Sequence, residues 1–285
     1  MKSKMRILVT GGSGYLGSIL VPRLTSERHE VEVLDIQPPT SSVRWVNADV
    51  NSADLGMFKT YDAIVHLAGI VGDAACNKEP TKAVETNYLT TKRLAKEFTR
   101  LNKKMVFAST CSVYGASNSL QTEDTDPSPL SLYGLTKLQS EKPVTDAGGV
   151  VLRFATLHGN SPRIRFDLVV NEFVRRAFVD GKIAVFGGAQ IRPFLHVSDA
   201  AAAISAAITG ESGVYNVGSE NMTILDLANR IKNKTQCDIE IVAEITDKRS
   251  YAVDSSKITR KLGLQYKKKI EDTVDELTAT IGKRH

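Results

Sequence analysis

Four glycines near the start of the chain form a turn that could hold a phosphate group. Residues 10–17 read Thr-Gly-Gly-Ser-Gly-Tyr-Leu-Gly, in which Gly12, Gly14 and Gly17 have the spacing G-x-G-x-x-G and Gly11 adds a fourth glycine. A side chain at these positions would keep the backbone away from a pyrophosphate, and the helix that follows offers that group free N–H donors and a partial positive charge. The turn therefore predicts a dinucleotide site.

A carboxylate follows at the distance that such a site requires. Asp35 stands eighteen residues after Gly17, at the end of the second predicted strand. In this position a carboxylate accepts hydrogen bonds from the hydroxyls of an adenosine ribose, whereas it would repel a 2′-phosphate. The sequence therefore favours NAD over NADP as the cofactor.

A tyrosine and a lysine are the candidate acid–base pair. Tyr133 and Lys137 lie four residues apart in Ser-Leu-Tyr-Gly-Leu-Thr-Lys, so they share one face of a predicted helix. A tyrosine of ordinary pKa, near 10, is a poor base at neutral pH. A neighbouring ammonium and an oxidised nicotinamide would both lower that pKa. The same spacing is also common on solvated helices, so the pair alone does not establish catalysis.

The order of these motifs resembles the extended short-chain dehydrogenase/reductase family, in particular its nucleotide-sugar epimerase and dehydratase branch, over nearly the whole chain. The opening TGGSGYLG is similar to the family's TGGxGxxG. The fifth predicted strand ends in Ala-Ser-Thr-Cys-Ser-Val-Tyr-Gly, and Thr110 stands four residues before Tyr114, at the place of the family's catalytic Ser/Thr. The resemblance implies that Thr110, Tyr133 and Lys137 are catalytic.

Further matches imply the surroundings of the cofactor. Ala48-Asp49-Val50 resembles an element that contacts adenine, and His66-Leu67-Ala68-Gly69 is similar to the H-x-A-[AG] strand end beside the cofactor. Asn87 matches an asparagine that supports the active site, and Arg153-Phe154 matches a strand that leads under the nicotinamide. The implied site holds NAD and no metal. Its residues are Gly11, Gly12, Gly14, Tyr15, Leu16, Gly17, Asp35, Asp49, Val50, Leu67, Ala68, Gly69, Asn87, Tyr133, Lys137 and Phe154.

The second half of the chain resembles the part of the family that binds a nucleoside-diphosphate sugar. Residues 188–199 are close to G-x-x-x-R-x-[FY]-x-H-V-x-D, which implies that Arg192 contacts the phosphates. Arg249 matches a later phosphate-binding arginine, and Asn171 matches an asparagine that holds the diphosphate. Two arginines facing a diphosphate are physically sensible, because the guanidinium fork fits phosphate oxygens.

Two positions of this substrate half have open interpretations. His158 stands before Gly159 where an aromatic residue is more usual, and it either contacts the sugar or is a packed neutral histidine. Cys76 lies in a segment that could reach the sugar, or it is a small buried residue. The expected substrate-binding residues are Cys76, Thr110, His158, Asn171, Arg192 and Arg249.

Strands that alternate with helices must position these residues. The predicted strands are Arg6–Thr10, Val31–Asp35, Val43–Val46, Ala63–Ala68, Met105–Ser109, Val150–Phe154 and Val214–Val217. The predicted helices are Gly14–Arg28, Thr81–Leu101, a helix bearing Tyr133 that Pro143 should cut or kink after Lys142, Phe166–Val179, 198–208 and Thr223 to about Lys234.

This alternation predicts an α/β fold: a doubly wound parallel sheet of the Rossmann type with a smaller, interwoven C-terminal substrate domain. The expected NAD-binding domain covers residues 1–155, with 193–217 returning to it, and residues 156–285 mainly bind the substrate.

The amino-acid composition excludes several classes of protein. The 285 residues are 42% apolar and 24% charged, which excludes disordered, collagen-like and membrane-spanning classes. The net charge is +5, yet no basic stripe interleaved with aromatic residues indicates a nucleic-acid partner. Three cysteines suit a reducing compartment, and no signal-peptide-like apolar region follows the N-terminus. We expect a cytoplasmic protein, and the resemblance implies a homodimer formed through the helices at Thr81–Leu101 and around Tyr133.

The reaction is predicted to be epimerisation. Family dehydratases commonly carry an Asp-Glu pair directly after the catalytic threonine, where this chain has Cys111 and Ser112. A ketoreductase would gain from NADPH, which Asp35 disfavours. The alternative function is that of a sugar-nucleotide dehydrogenase, ketoreductase or dehydratase. A regulator that binds NAD without turnover is a remote alternative, because Thr110, Tyr133 and Lys137 are all present.

Overall fold

A parallel sheet of seven strands forms the centre of the computed structural model, which describes residues 4–243, 247 and 249–283. The strands are β1 (Arg6–Thr10), β2 (Glu30–Asp35), β3 (Arg44–Asn47), β4 (Ala63–His66), β5 (Lys104–Thr110), β6 (Ala116–Gln121), β7 (Val150–Phe154), β8 (Thr156–His158), β9 (Lys182–Phe186), β10 (Ile191–His196), β11 (Gly213–Val217), β12 (Glu220–Thr223), β13 (Asp238–Val242) and β14 (Ser250–Val253).

The spatial order of the central sheet is β11-β7-β5-β4-β1-β2-β3. All six neighbouring pairs are parallel. The chain first runs outward from β1 to β3 and then returns to the other side of β1 with β4. Ligands of open parallel sheets bind where the strand order reverses in this way, at the carboxyl ends of the strands. The predicted doubly wound parallel sheet is confirmed.

Helices cover both faces of this sheet. They are α1 (Gly17–Ser26), α2 (Asp73–Lys78), α3 (Pro80–Ala83), α4 (Thr90–Leu101), α5 (Leu132–Asp146), α6 (Val169–Val179), α7 (Val197–Ile208), α8 (Ile224–Thr235), α9 (Ser256–Leu262) and α10 (Ile270–Ile281). Short 3₁₀ turns lie at Leu55–Thr60 and Cys111–Tyr114. Among the helices that the structure describes, none combines the length and the apolar composition that crossing a membrane requires.

Three apolar clusters hold the layers together. One packs α1, α7 and α9 on the first face of the sheet, and another packs α4 and α5 on the second face. The third lies beyond the sheet, where α6, α8 and α10 pack around β9 and β10. Because α10 comes from the end of the chain, residues distant in sequence share this third cluster.

Two local features differ from the sequence-based expectations. The helix that carries Tyr133 continues through Pro143 to Asp146, so the expected break after Lys142 is absent. Pro143 has no N–H to donate to the carbonyl of Gln139, so one helical hydrogen bond is lost, and the helix runs for only three residues beyond it. The helix predicted over Thr81–Leu101 is interrupted by a π-helical turn at Val84–Leu89. Such turns are frequent at functional sites.

Candidate active site

The carboxyl ends of the central strands open into a cavity of about 1190 Å³. That volume exceeds the range of about 300–1,000 Å³ typical of pockets for one small ligand. The cavity wall includes most of the glycine turn, Thr110, Tyr133 and Lys137, and also Arg192 and Arg249. Among the described residues, no group of three or more His, Cys, Asp or Glu side chains is arranged to hold a metal ion.

The glycine turn is shaped by close backbone contacts. Gly11 has a φ of 71°, and a Cβ there would lie 2.5 Å from the backbone nitrogen of Ala68. A Cβ on Gly17 would lie 2.5 Å from the carbonyl oxygen of Gly12. Gly12 itself packs on Val33, whereas the other glycines of the turn line the cavity together with Tyr15 and Leu16. A turn in which side chains cannot fit leaves the backbone open to a pyrophosphate.

Asp35 is held at the mouth of the cavity by the turn. Its Oδ2 accepts a hydrogen bond of 3.0 Å from the backbone N–H of Ser13, and Oδ1 accepts one of 3.0 Å from that of Gln37. Both oxygens keep lone pairs for ribose hydroxyls. Asp49 and Val50 line the same end, where Asp49 also accepts from the N–H of Asn51 at 2.9 Å.

We expect NAD to bind at least about tenfold more tightly than NADP, the effect of one unfavourable charged contact. Asp35→Ala should shrink this preference, because the variant no longer places a carboxylate near a 2′-phosphate. Isothermal titration of both dinucleotides measures the ratio, with Asp49→Ala as a control that should leave the ratio nearly unchanged. Tighter binding of NADP by the unmodified protein would contradict the assignment.

The candidate catalytic residues come from two neighbouring elements. Thr110 ends β5, and its Oγ1 accepts a hydrogen bond of 3.1 Å from the N–H of Ser112. Tyr133 lies in the first turn of α5, which starts where the Ser131 hydroxyl accepts from the N–H of Gly134 at 3.2 Å. Lys137 follows one turn later, so that all three side chains face the cavity.

Burial and charge oppose each other at Tyr133 and Lys137. Burial raises the pKa of Tyr133, while the Arg165 guanidinium and a hydrogen bond with Thr110 lower it by less. Burial lowers the pKa of Lys137 to about 8. The Lys137 ammonium donates to the carbonyl of Ala108 at 2.8 Å and lies 4.7 Å from the centre of the Phe107 ring. These shifts leave the tyrosine protonated in the free protein.

The segment after β4 forms the wall beside Lys137, because a Cβ on Gly69 would lie 3.6 Å from the lysine Nζ. Leu67, Ala68 and Gly69 line the cavity, and a Cβ on Gly69 would lie 2.8 Å from the side-chain oxygen of Asn87. Asn87, in the π-helical turn, accepts from the N–H of Ile70 at 2.8 Å and donates to its carbonyl at 2.9 Å. Asn87 is therefore placed behind this segment, which it braces, and not in the cavity lining.

His66 and Phe154 complete this region in different ways. Both ring nitrogens of His66 contact threonine hydroxyls, Nδ1 that of Thr10 at 2.7 Å and Nε2 that of Thr91 at 3.0 Å. Burial lowers the pKa of His66 to about 3, so the ring is neutral and braces β4. Phe154, at the end of β7, lines the cavity.

Two arginines and an aspartate form a cluster in the cavity wall. The Oδ2 of Asp247 lies 2.9 Å from Nη2 of Arg192 and 2.7 Å from Nη2 of Arg249. Burial would raise the pKa of the Asp247 carboxyl, but Arg249 and Arg192 outweigh it and hold that pKa well below its usual range. The structure thus brings both expected phosphate-binding arginines together.

Three expected substrate residues lie in the packed interior and not in the cavity wall that the described residues form. Cys76 donates to the carbonyl of Ile70 at 3.3 Å, and burial raises the pKa of its thiol. Asn171 accepts from the N–H of Gly159 at 3.0 Å and donates to the carbonyl of Arg165 at 3.0 Å. Nδ1 of His158 lies 2.7 Å from the hydroxyl of Thr273. Of the two interpretations of His158, the structure supports a packed, neutral histidine, since burial lowers its pKa to about 3.

Sequence reasoning missed several charged groups of the wall besides Asp247, and two of them interact with Tyr133 or Arg249. Arg165, in the segment before α6, pairs with Asp167 at 2.5 Å and acts electrostatically on Tyr133. Asp73, the first residue of α2, pairs with Arg249 at 3.2 Å. Neither lies on a strand end or in a recognisable spacing, so no sequence signal beyond their charge pointed to them.

Comparisons with known proteins agree with this geometry. Residues 7–218 match the NAD dependent epimerase/dehydratase family. The UDP-glucose 4-epimerase of Lactobacillus helveticus is 29% identical, over 99% of this chain and 97% of that protein. The UDP-N-acetyl-alpha-D-glucosaminuronate decarboxylase of Bacillus cytotoxicus is also 29% identical, over 84% of this chain and 83% of its own length.

A solved structure extends the similarity to three dimensions. The UDP-glucuronic acid 4-epimerase of Bacillus cereus, in complex with UDP-glucuronic acid and NAD, superposes with a TM-score of 0.86. Its sequence is 26% identical, and the match covers 99% of this chain and all of that one. Together with the glycine turn and the Thr110, Tyr133 and Lys137 constellation, these matches show that the chain belongs to the NAD-dependent epimerase/dehydratase family.

Proposed function

We propose that this protein epimerises a nucleoside-diphosphate sugar with NAD as its cofactor. The observation that carries the proposal is one continuous cavity. Its wall includes most of the glycine turn, Thr110, Tyr133 and Lys137, and the two arginines. A dinucleotide on the glycine turn and a diphosphate on the arginines would bring the nicotinamide and the sugar together between them.

The described residues fit NAD. The backbone at Gly11 and Gly17 leaves no room for side chains, and Asp35 offers lone pairs to an adenosine ribose. Phe154 and the residues after β4 border the place for the nicotinamide. When bound, NAD supplies hydride acceptance and hydride return.

The chain's own residues accept, hold and return the proton of the sugar hydroxyl. Tyr133 takes the proton of a sugar hydroxyl, and the Thr110 hydroxyl donates a hydrogen bond to the same oxygen. The positive charge of Arg165 stabilises the Tyr133 phenolate, against the burial that raises its pKa. We propose that Lys137, one helical turn away, adds to this effect. After the keto sugar has turned over in the cavity, Tyr133 returns the proton to the same sugar oxygen.

Arg192 and Arg249 are the proposed diphosphate ligands. Their guanidinium groups are held together by Asp247, which contacts Nη2 of Arg192 and both Nε and Nη2 of Arg249. A diphosphate carries more charge than one carboxylate and can engage both forks at once. We therefore expect it to compete with Asp247 for these donors.

The positions after Thr110 argue against dehydration. The Cys111 thiol is fully buried, donates to the carbonyl of Arg153 at 3.0 Å, and has its pKa raised by burial. The hydroxyl of Ser112 lies 3.2 Å from Nη1 of Arg249. Neither residue supplies the carboxylates that family dehydratases use there, whereas epimerisation needs none.

The substrate test uses uridine nucleotides, because the relatives named above are described with UDP-sugars. Incubation with a panel of UDP-sugars and catalytic NAD should give an epimer of unchanged mass in NMR spectra, with no net rise in absorbance at about 340 nm. The hydride is returned in each cycle, so no NADH accumulates. Stoichiometric NADH would favour a dehydrogenase, and a 6-deoxy-4-keto product would favour a dehydratase.

We further propose a cytoplasmic homodimer in which residues 156–285, apart from 193–217, mainly bind the substrate. The three cysteines are buried free thiols, which fits a reducing compartment. Leu89 and Leu135 are exposed on the helical segments expected to pair, although Lys96 and Lys142 are exposed there too. Light scattering during size-exclusion chromatography distinguishes a dimer of about 62 kDa from the 31.1 kDa monomer.

A further inference from the structure

Asp73 is a carboxylate in the cavity wall that the proposed reaction does not use. It lines the cavity together with Thr110 and Tyr133. Its Oδ2 lies 3.2 Å from Nη1 of Arg249. Its Oδ1 is shielded from solvent and has no hydrogen-bond partner in the part of the chain that the structure describes. A buried acceptor without a donor is costly, so this oxygen is expected to meet a donor in the working enzyme.

Arg249 places this carboxylate at the catalytic end of the cavity. The Nη1 atom that contacts Asp73 also lies 3.2 Å from the hydroxyl of Ser112. The N–H of Ser112 in turn donates to Oγ1 of Thr110 at 3.1 Å. The negative charge of Asp73 is also close enough to act on Tyr133. The carboxylate therefore faces the space that a sugar must enter to reach Tyr133.

We propose that Asp73 determines sugar specificity: a sugar in the cavity displaces the groups that shield Oδ1, which then accepts a hydrogen bond from a second hydroxyl group of the hexose, while Oδ2 stays paired with Arg249. This inference rests on the proposed function, because it assumes a sugar nucleotide in the cavity. A carboxylate oxygen only accepts, and a sugar hydroxyl is the donor that this substrate class brings. A sugar without that hydroxyl leaves Oδ1 unpaired, which is how a polar site rejects a deoxy analogue.

The test compares the binding of UDP-glucose with that of UDP on the NAD-loaded protein. Titration calorimetry gives both dissociation constants for the unmodified protein, Asp73→Ala and Asp73→Asn. The ratio between them isolates the sugar, because any effect of freeing Arg249 on the diphosphate enters both constants. Asp73→Ala should shift the ratio against UDP-glucose by about tenfold, the effect of one hydrogen bond to a charged group. Asp73→Asn should shift it less, because a carboxamide oxygen still accepts.

Asp247→Asn is the matched control, because it removes the other carboxylate partner of Arg249. It should leave the ratio nearly unchanged. If Asp247→Asn shifted the ratio as much as Asp73→Ala, the effect would pass through Arg249 and the direct contact would be wrong. An unchanged ratio in Asp73→Ala would overturn the assignment of Asp73 alone. If the unmodified protein bound NAD but no UDP-sugar of the panel, the proposed function would fall, and this inference with it.

Discussion

Tyr133→Phe is expected to lower the turnover of sugar nucleotide by at least about a hundredfold, the usual contribution of general acid–base catalysis. The substitution keeps the ring that fills the wall of the cavity and removes only the ionisable oxygen. The binding of NAD should change little, because the aromatic ring and all other residues of the implied cofactor site remain. Steady-state kinetics on the true substrate and titration of NAD measure the two effects separately.

The pH dependence adds a readout that simple damage to the wall would not produce. Burial raises the pKa of Tyr133, so the active phenolate becomes more abundant as the pH rises. The kcat/KM of the unmodified enzyme should therefore increase with pH on its acidic side, and the variant should lose this dependence. Tyr251→Phe deletes a hydroxyl from the same cavity wall and should change turnover by less than about tenfold. Nearly full activity of Tyr133→Phe would show that another group is the base.

The sheet could be predicted because its strands are buried on both faces and read as short apolar runs. The regions around the sheet were harder to predict from the sequence. The edge pair β6 and β14 joins Ala116–Gln121 to Ser250–Val253 across more than a hundred residues, and β6 is mostly exposed. No local pattern encodes such a pairing. The helix through Pro143 continues because its remaining contacts keep the last turn in place, which is a tertiary effect that a local rule does not see.

The residues of the site also fall into those that the sequence could predict and those that it could not. Residues at strand ends, such as Asp35, Thr110 and Phe154, were brought to one cavity because parallel strands present their carboxyl ends at the same edge. His158 and Asn171 instead bond to other parts of the protein interior, and motif spacing does not distinguish such a contact from a ligand contact. Asp73 starts a short helix and Arg165 lies in an irregular segment, and no motif marks either residue, so only the folded chain shows that both charges act on Tyr133.

Lys137→Met is expected to separate activity from stability. The ammonium group of Lys137 supports the phenolate of Tyr133 and is implied to hold the nicotinamide ribose. Its removal should therefore lower turnover by about a hundredfold or more and weaken NAD binding by about tenfold. Lys142→Met is the matched control, because Lys142 lies on the same helix, is largely exposed and contacts only Asp146. Lys142→Met should alter neither turnover nor NAD binding measurably.

The stability of the Lys137→Met protein should change in the opposite direction. Burial lowers the pKa of Lys137 to about 8, so below that pH the folded protein holds an ammonium group in a poorly solvated place. Between about pH 8 and 10.4 the folded protein releases the proton while the unfolded chain keeps it, so the free energy of unfolding of the unmodified protein rises across this interval. Methionine fills similar space without a charge, but it loses the hydrogen bond to Ala108. We therefore expect the variant to be more stable by about 2 kcal/mol at pH 7, with the difference shrinking towards pH 10. Urea denaturation at the two pH values measures this difference, and a variant less stable than the parent at pH 7 would show that the ammonium group stabilises the fold.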